Sequence, residues 1–194
     1  FAKSIANLGG DPENPFVIFD DVKAVYDERK KELIKAAKAK KEAQAKWESE
    51  NPELAKKWNQ FFSNELPDFD FSAMEQKANV ATRGASGTVL GAMAGKVENQ
   101  IVASADLSNS DKTDGFLKKT TAFTKGDFSG SFLQVGVSEL TMACMANGMA
   151  LHGGVIPGCG TFFLFSDYML PVVRLAALME LPVNYVWTHD AFRV

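Results

Sequence analysis

FLQVGVSELTMACMANGMALHGGVIPGCGTFFLFSDY, residues 132–168, is the stretch on which the fold turns. Phe132-Leu133-Gln134-Val135 reads as a short buried strand, and Gly136 marks a tight bend after it. From Ser138 the pattern becomes helical. Leu140, Ala143, Cys144, Asn147 and Ala150 recur at spacings of three and four, and the run stops at Gly153-Gly154. Glu139 therefore falls in the first turn of a buried helix, in a run that is otherwise almost uncharged. That helix starts at the C-terminal end of a strand, where ligands bind in open α/β sheets. Two roles are open for Glu139 at this point. It can complement the helix dipole, a contribution of a few tenths to ~1 kcal/mol, or it can be a carboxyl kept in an apolar pocket to share a proton with a ligand.

The rest of the composition narrows the classes. A chain of 194 residues fits one ordinary domain, or a smaller domain with an appendage. With 46% hydrophobic and 23% charged residues it is globular, and a net charge of -3 argues against nucleic acid as a partner. Cys144 and Cys159 belong to no CxxC pair and read as reduced core residues of an intracellular, cytoplasmic protein. No run of about 18 apolar residues exists, so no membrane span is predicted. The chain opens at Phe1 without methionine or signal peptide, and it ends at the strand-to-loop junction Ala191-Phe192-Arg193-Val194. Both ends suggest a piece of a longer polypeptide.

Upstream, residues 1–19 form a lead-in with turn signals at Gly9-Gly10-Asp11-Pro12, and Phe16-Val17-Ile18-Phe19 is expected to pack on the body. A long Ala/Lys/Glu helix should begin at Asp20 or Asp21, either of which can cap it, and run to about Ser49. Its interspersed lysines and glutamates read as a solvated face. Asn51-Pro52 restarts a helix with Asn as cap, carrying Leu54, Trp58, Phe61 and Phe62 inward. Thr82 should cap a glycine-weakened helix to about Lys96, and residues 101–105 form a strand ending at Asp106. A polar loop follows. Downstream, Gly160-Thr161 is read as the entry to a helix from Phe162 to about Glu180, and 183–187 as a third strand ending at Thr188-His189-Asp190. Strands alternating with covering helices predict an α/β fold with a largely parallel sheet, preceded by a helical connector.

In such a sheet Asp106 with Ser110, Glu139, and His189 with Asp190 would lie along one edge. Several chemistries are absent by motif: no GxGxxG, no Walker A loop, no GxSxG elbow, and no His/Cys/carboxylate set with metal spacing. His152, at a helix end before two glycines, reads as structural. Phe162, Phe163, Phe165 and Tyr168 are core aromatics or a platform for a flat heteroaromatic ring.

Ala81-Thr82-Arg83, Ser104-Ala105-Asp106-Leu107, Val135-Gly136-Val137-Ser138-Glu139, Asn147-Gly148, Gly160-Thr161-Phe162-Phe163-Leu164-Phe165, Val173-Arg174-Leu175-Ala176-Ala177-Leu178 and Thr188-His189-Asp190 occur in that order. Together they resemble the middle, pyrimidine-binding domain of the transketolase family over 80–194. Residues 1–79 are similar to the helical connector that precedes it. The resemblance implies the thiamine-diphosphate-binding fold and transfer of a two-carbon ketol unit between sugar phosphates, in the pentose phosphate pathway. It also implies a homodimeric parent enzyme that binds no nucleic acid or membrane. Glu139 matches the glutamate that hydrogen-bonds the aminopyrimidine of thiamine diphosphate and favours the tautomer that takes the thiazolium proton. Phe162, Phe165 and Tyr168 match the aromatic pocket, and Asp106 an acidic residue near the cofactor. Arg83 and Ser110 match sugar-phosphate ligands, and His189 a histidine that contacts substrate hydroxyls and assists proton transfer. Mg2+ or Ca2+ is implied for the diphosphate-binding part, not for these residues.

The sequence departs from the family pattern in two ways. Ser138-Glu139-Leu140 stands where the family commonly has Arg-Glu followed by His or Phe, which changes the contacts flanking the glutamate. The family's downstream Gly-Glu-Asp-Gly-Pro-Thr-His stretch is not in the chain. Related thiamine-diphosphate ketol transferases, dihydroxyacetone synthase or deoxyxylulose-phosphate synthase, share these motifs. A non-catalytic pairing domain is the alternative from another class.

Overall fold

The computed structural model describes residues 1–63 and 65–190. Two compact units divide the chain, Phe1–Ala55 and Lys56–Val194. In the first, α1 (Ala2–Asn7) precedes α2 (Asp20–Glu50), a helix of 31 residues without a buried side chain. At 1.5 Å per residue α2 is about 46 Å long. Ion pairs along its surface join Arg29 to Glu32 (2.7 Å) and Lys46 to Glu50 (3.8 Å), as expected of a solvated face.

Three local expectations change here. The cap position of α2 is Phe19, so Asp20 and Asp21 sit inside the first turn and serve the helix dipole. Phe16–Phe19 is exposed, with Phe16 at 90%. The Asn51 side chain donates to the Trp47 carbonyl (2.9 Å) and closes α2, while Pro52 opens α3 (Pro52–Phe62) as the first helical residue should. Ala55 is the buried residue of α3; Leu54 and Trp58 face solvent. Phe62 lies over the glycine pair at 153–154, where a Cβ on Gly154 would come within 2.8 Å of its ring. Both glycines are left-handed (φ 78° and 81°), so this close approach needs them.

The second unit carries a sheet of four parallel strands in the order β2-β1-β3-β4. α4 (Thr82–Met93) starts after an Ala81 cap, one residue before the expected cap, and ends three residues early. β1 (Gln100–Ser104) leads into α5 (Ser108–Asp111) and α6 (Asp114–Leu117), two single turns inside the expected polar loop. β2 (Phe132–Gln134) and α7 (Glu139–His152) follow as predicted. β3 (Ile156–Phe162) is a strand that the sequence reading does not contain. A turn of 3-10 helix at Phe163–Tyr168, α8 (Leu170–Leu178) and β4 (Asn184–Thr188) complete the unit.

β3 lies between β1 and β4, at the centre of the sheet, and its sequence IPGCGTF holds a proline and two glycines. Such residues are depleted in strands, which is why the stretch passes for a loop. Its environment reverses that preference. Residues 157–161 are all buried, and a Cβ on Gly160 would meet Thr113 Cγ2 at 2.6 Å and Asp111 Oδ2 at 3.1 Å. Only a bare backbone lets the loop after β1 descend onto the sheet there.

Apolar layers cover both faces of the sheet, as parallel strands require. On one, Ala103 and Cys159 pack with Met142, Ala143 and Ala146 of α7 and with Met169 and Val172. On the other, Val102 and Phe132 pack with Phe116, flanked by Leu90 and Ala94. The inward stripe of α7 is Glu139, Met142, Ala143, Ala146 and Asn147, which is rotated from the predicted one. Leu140 is 48% exposed and Cys144 is exposed, not core. α7 is apolar nearly all round, so periodicity alone did not select its face. Cys159 is buried as expected, and burial, reinforced by the Asp111 carboxylate, pushes its thiol up to about 12. Among the described residues no helix is long and apolar enough to cross a membrane.

Candidate functional site

Because all four strands run parallel, their C-terminal ends share one edge, and the predicted site residues gather there. Two neighbouring cavities open there, one lined by Glu139, Phe165 and Tyr168 and the other by Arg83 and His189.

The first cavity, about 550 Å³, lies at the start of α7 and is lined by Ala105, Leu107, Val137, Glu139, Phe165 and Tyr168 among others. Glu139 is the first residue of α7 and is 7% exposed. Gly136 in the left-handed region (φ 65°) and a Ser138 hydroxyl donating to the Val135 carbonyl (2.8 Å) turn the chain sharply from β2 into α7. That turn places the carboxylate against the sheet. Thr161, wholly buried at the end of β3, donates its hydroxyl to Glu139 Oε1 at 3.4 Å. A carboxylate in mostly apolar walls, with one hydroxyl to orient it, is the form of a small-molecule site with few converging polar groups.

The second cavity, about 450 Å³, is lined by Arg83, Ser86, Trp187, Thr188, His189 and Asp190 among others. Arg83, in the first turn of α4, donates to the Ser110 carbonyl (3.4 Å) and to His189 Nε2. Thus Ser110 meets Arg83 through its backbone oxygen. An arginine only donates, so the contact makes Nε2 an acceptor and leaves the imidazole proton on Nδ1. Nδ1 then donates to the Thr188 hydroxyl at 2.8 Å. Burial, followed by the Arg83 cation, holds His189 below its ordinary value of 6.5, and Asp111 opposes the shift. His189 is therefore expected to titrate below that value by NMR, and Arg83→Ala should move it upward. Since the folded state takes up this proton less readily than the unfolded chain, the associated stability is full above 6.5 and declines as pH falls through the folded value.

Phe162 lies between a residue of each cavity. Its ring centroid is 3.9 Å from that of His189 on one side and 5.8 Å from that of Phe165, nearly parallel, on the other. Tyr168 extends the row at 6.3 Å from Phe165 and is exposed. Asp106 is exposed, in the left-handed region (φ 65°), between the cavity-lining Ala105 and Leu107. His152 is exposed at the end of α7. Among the described residues no group of three or more His, Cys, Asp or Glu is placed to hold a metal ion.

Sequence reasoning missed Thr161, Thr188 and Asp111. The first was hidden by the unread strand. The others are short polar side chains that carry no motif and acquire meaning only from what they touch.

Residues 78–194 match the family model described as transketolase, pyrimidine binding domain. The chain belongs to the transketolase family. It is 40% identical over 185 residues to the transketolase of Halalkalibacterium halodurans, covering 94% of this chain and 28% of that protein. It is 44% identical over 153 residues to the transketolase of Bacillus subtilis, covering 77% and 23%. Among solved structures, transketolase from Leishmania mexicana superposes with a TM-score of 0.83 at 32% identity, over 97% of this chain and 28% of that one. Transketolase from Pichia stipitis in complex with sedoheptulose-7-phosphate gives 0.81 at 33% identity, over 96% and 29%. The chain thus spans between a fifth and a third of the transketolases it matches, and its residues 78–194 match the pyrimidine-binding domain.

Proposed function

We propose that the chain supplies the pyrimidine half of a transketolase active site. The complete polypeptide then moves a two-carbon ketol unit from a ketose phosphate to an aldose phosphate. The observation that carries this reading is a desolvated carboxylate, Glu139, in an apolar cavity that neighbours a cleft bearing Arg83 and His189. The residues fit thiamine diphosphate. Apolar walls and the Phe165 and Tyr168 rings suit a flat heteroaromatic ring, and the Glu139 carboxyl suits a ring nitrogen. When bound, the cofactor supplies the nucleophilic carbon of the ketol transfer.

The chain's own residues hold and move protons around that chemistry. Glu139, oriented by the Thr161 hydroxyl, would hold the pyrimidine ring through its carboxyl and offer a proton there. Phe165 in the wall of that cavity would keep water from the carboxyl. Arg83 meets the phosphate of the sugar with its guanidinium fork, Ser110 contributes beside it, and Asp106 lies at the rim of the cofactor cavity. His189, with Nε2 accepting from Arg83, lines the same cleft and is placed to contact the substrate hydroxyls. On this reading residues 1–79 act as the connector to a diphosphate-binding domain, where Mg2+ or Ca2+ is held, and 80–194 as the pyrimidine domain. Exposed Val137, Leu140 and Tyr168 beside the first cavity support completion of the site by a second subunit, giving a homodimer in the cytoplasm.

Ketol transfer between a ketose phosphate and an aldose phosphate, measured with thiamine diphosphate and Mg2+, tests this. The complete polypeptide containing the segment is expected to be active, and residues 1–194 alone inactive. A silent complete polypeptide, or an active segment, would overturn the reading.

A further inference from the structure

Asp111 is a buried carboxylate to which the proposed function gives no role. It is 0% exposed and ends α5. Its Oδ2 accepts from the Ser104 hydroxyl at 2.8 Å, and its Oδ1 accepts from the Thr113 N–H at 2.8 Å and the Thr113 hydroxyl at 2.7 Å. Ser104 is the last residue of β1, and Thr113 is the far end of the loop that leaves it. One carboxylate therefore ties both ends of this loop together, beneath the backbone of Gly160.

What lies between those ends is the substrate side of the site. Asp106 and Lys112 are held in left-handed backbone (φ 65° and 69°), a conformation that persists in non-glycine residues where surroundings over-determine it. Ser110, directly before Asp111, presents the carbonyl to which Arg83 donates at 3.4 Å. The height of that carbonyl, and with it the seat of the guanidinium, depends on how deeply Asp111 is drawn toward the sheet. Two acceptor oxygens serving three donors draw it in from both sides. An aliphatic residue cannot do so, and would leave the Ser104 and Thr113 donors unpaired.

We infer that Asp111 is a positioning residue for phosphorylated substrates, acting through Ser110 and Arg83 without touching the sugar. This rests on the transketolase reading of the cleft. The test uses the complete polypeptide and two ketol donors, a ketose phosphate and a short α-hydroxy ketone without phosphate. Asp111→Ala should raise KM for the ketose phosphate about 10-fold, the size of one lost charge-assisted contact. Its kcat, and both constants for the unphosphorylated donor, should stay within about twofold on the same scale. Asp111→Asn keeps an acceptor for Thr113 and an amide that Ser104 can accept from, and should restore most of the loss. Asp111→Ala added to Arg83→Ala should cost little beyond Arg83→Ala alone, because both act on one contact.

Equal losses on both donors, or full additivity with Arg83→Ala, would overturn the inference. Should Asp111→Ala fail to fold, Ser104→Ala removes one of the three contacts and is expected to show the same donor-selective rise in KM, smaller in size; its absence would count equally against the idea. A wild-type polypeptide that transfers from neither donor would refute the function reading instead, so the two failures are distinct.

Discussion

Glu139→Gln is expected to lower ketol transfer by the complete polypeptide by about 10²–10⁴-fold, the usual contribution of a positioned acid-base group. The substitution preserves shape, and the amide oxygen can still accept from the Thr161 hydroxyl. Losing a carboxylate from the first turn of α7 costs at most ~1 kcal/mol of helix-dipole interaction, so the fold should survive. What the amide cannot do is exchange a proton with a ring nitrogen. Cofactor binding, followed by fluorescence, should weaken far less than turnover falls, because the apolar walls and the Phe165 and Tyr168 rings remain. A variant that retains turnover within about threefold would remove Glu139 from the chemistry, since acid-base catalysis of that kind is worth orders of magnitude more.

Arg83→Ala carries the second large effect. The guanidinium bridges two elements distant in sequence, donating to the Ser110 carbonyl and to His189 Nε2. A hydrogen bond to a charged group contributes about 1.5–3 kcal/mol, so kcat/KM for phosphorylated sugars should fall roughly 10- to 150-fold at 1.4 kcal/mol per decade. Arg83→Lys should recover only part of this, because an ammonium offers no planar fork for a phosphate. The same change frees His189 of a neighbouring cation. Substrate-saturation kinetics with and without phosphate on the sugar separate the two consequences. A loss equal for both kinds of sugar would show that Arg83 supports His189 and leaves phosphate alone.

The legible parts of the fold are those in which local pattern and tertiary environment agree. β1, α7 and β4 are continuous apolar runs closed by turn residues, and each lies where its pattern places it. α2 is equally legible, because a helix with no buried side chain has only its own propensities to satisfy. The failures have the opposite cause. β3 is a strand interrupted by a proline and two glycines, tolerated because parallel neighbours satisfy its backbone and the descending loop needs bare glycine at 160. α8 begins later than predicted because Phe162 ends β3 and the next six residues turn as a 3-10 segment. In α7 an apolar surface on all sides hid which face is inward.

The sequence by itself determined that a parallel α/β sheet ends its strands in Glu139, Asp106 and His189, and that Glu139 lies in an uncharged run at a helix start. Those are properties of residue order, which hydrophobic periodicity and chain punctuation report directly. Only the tertiary structure decided that Phe162 lies between His189 and Phe165, that Arg83 fixes the tautomer of His189, and that Asp111 anchors the loop after β1. Each of these joins residues brought together by sheet register and helix packing. The hydrogen bonds that define them are set by distances of a few tenths of an ångström, and no spacing along the chain encodes that.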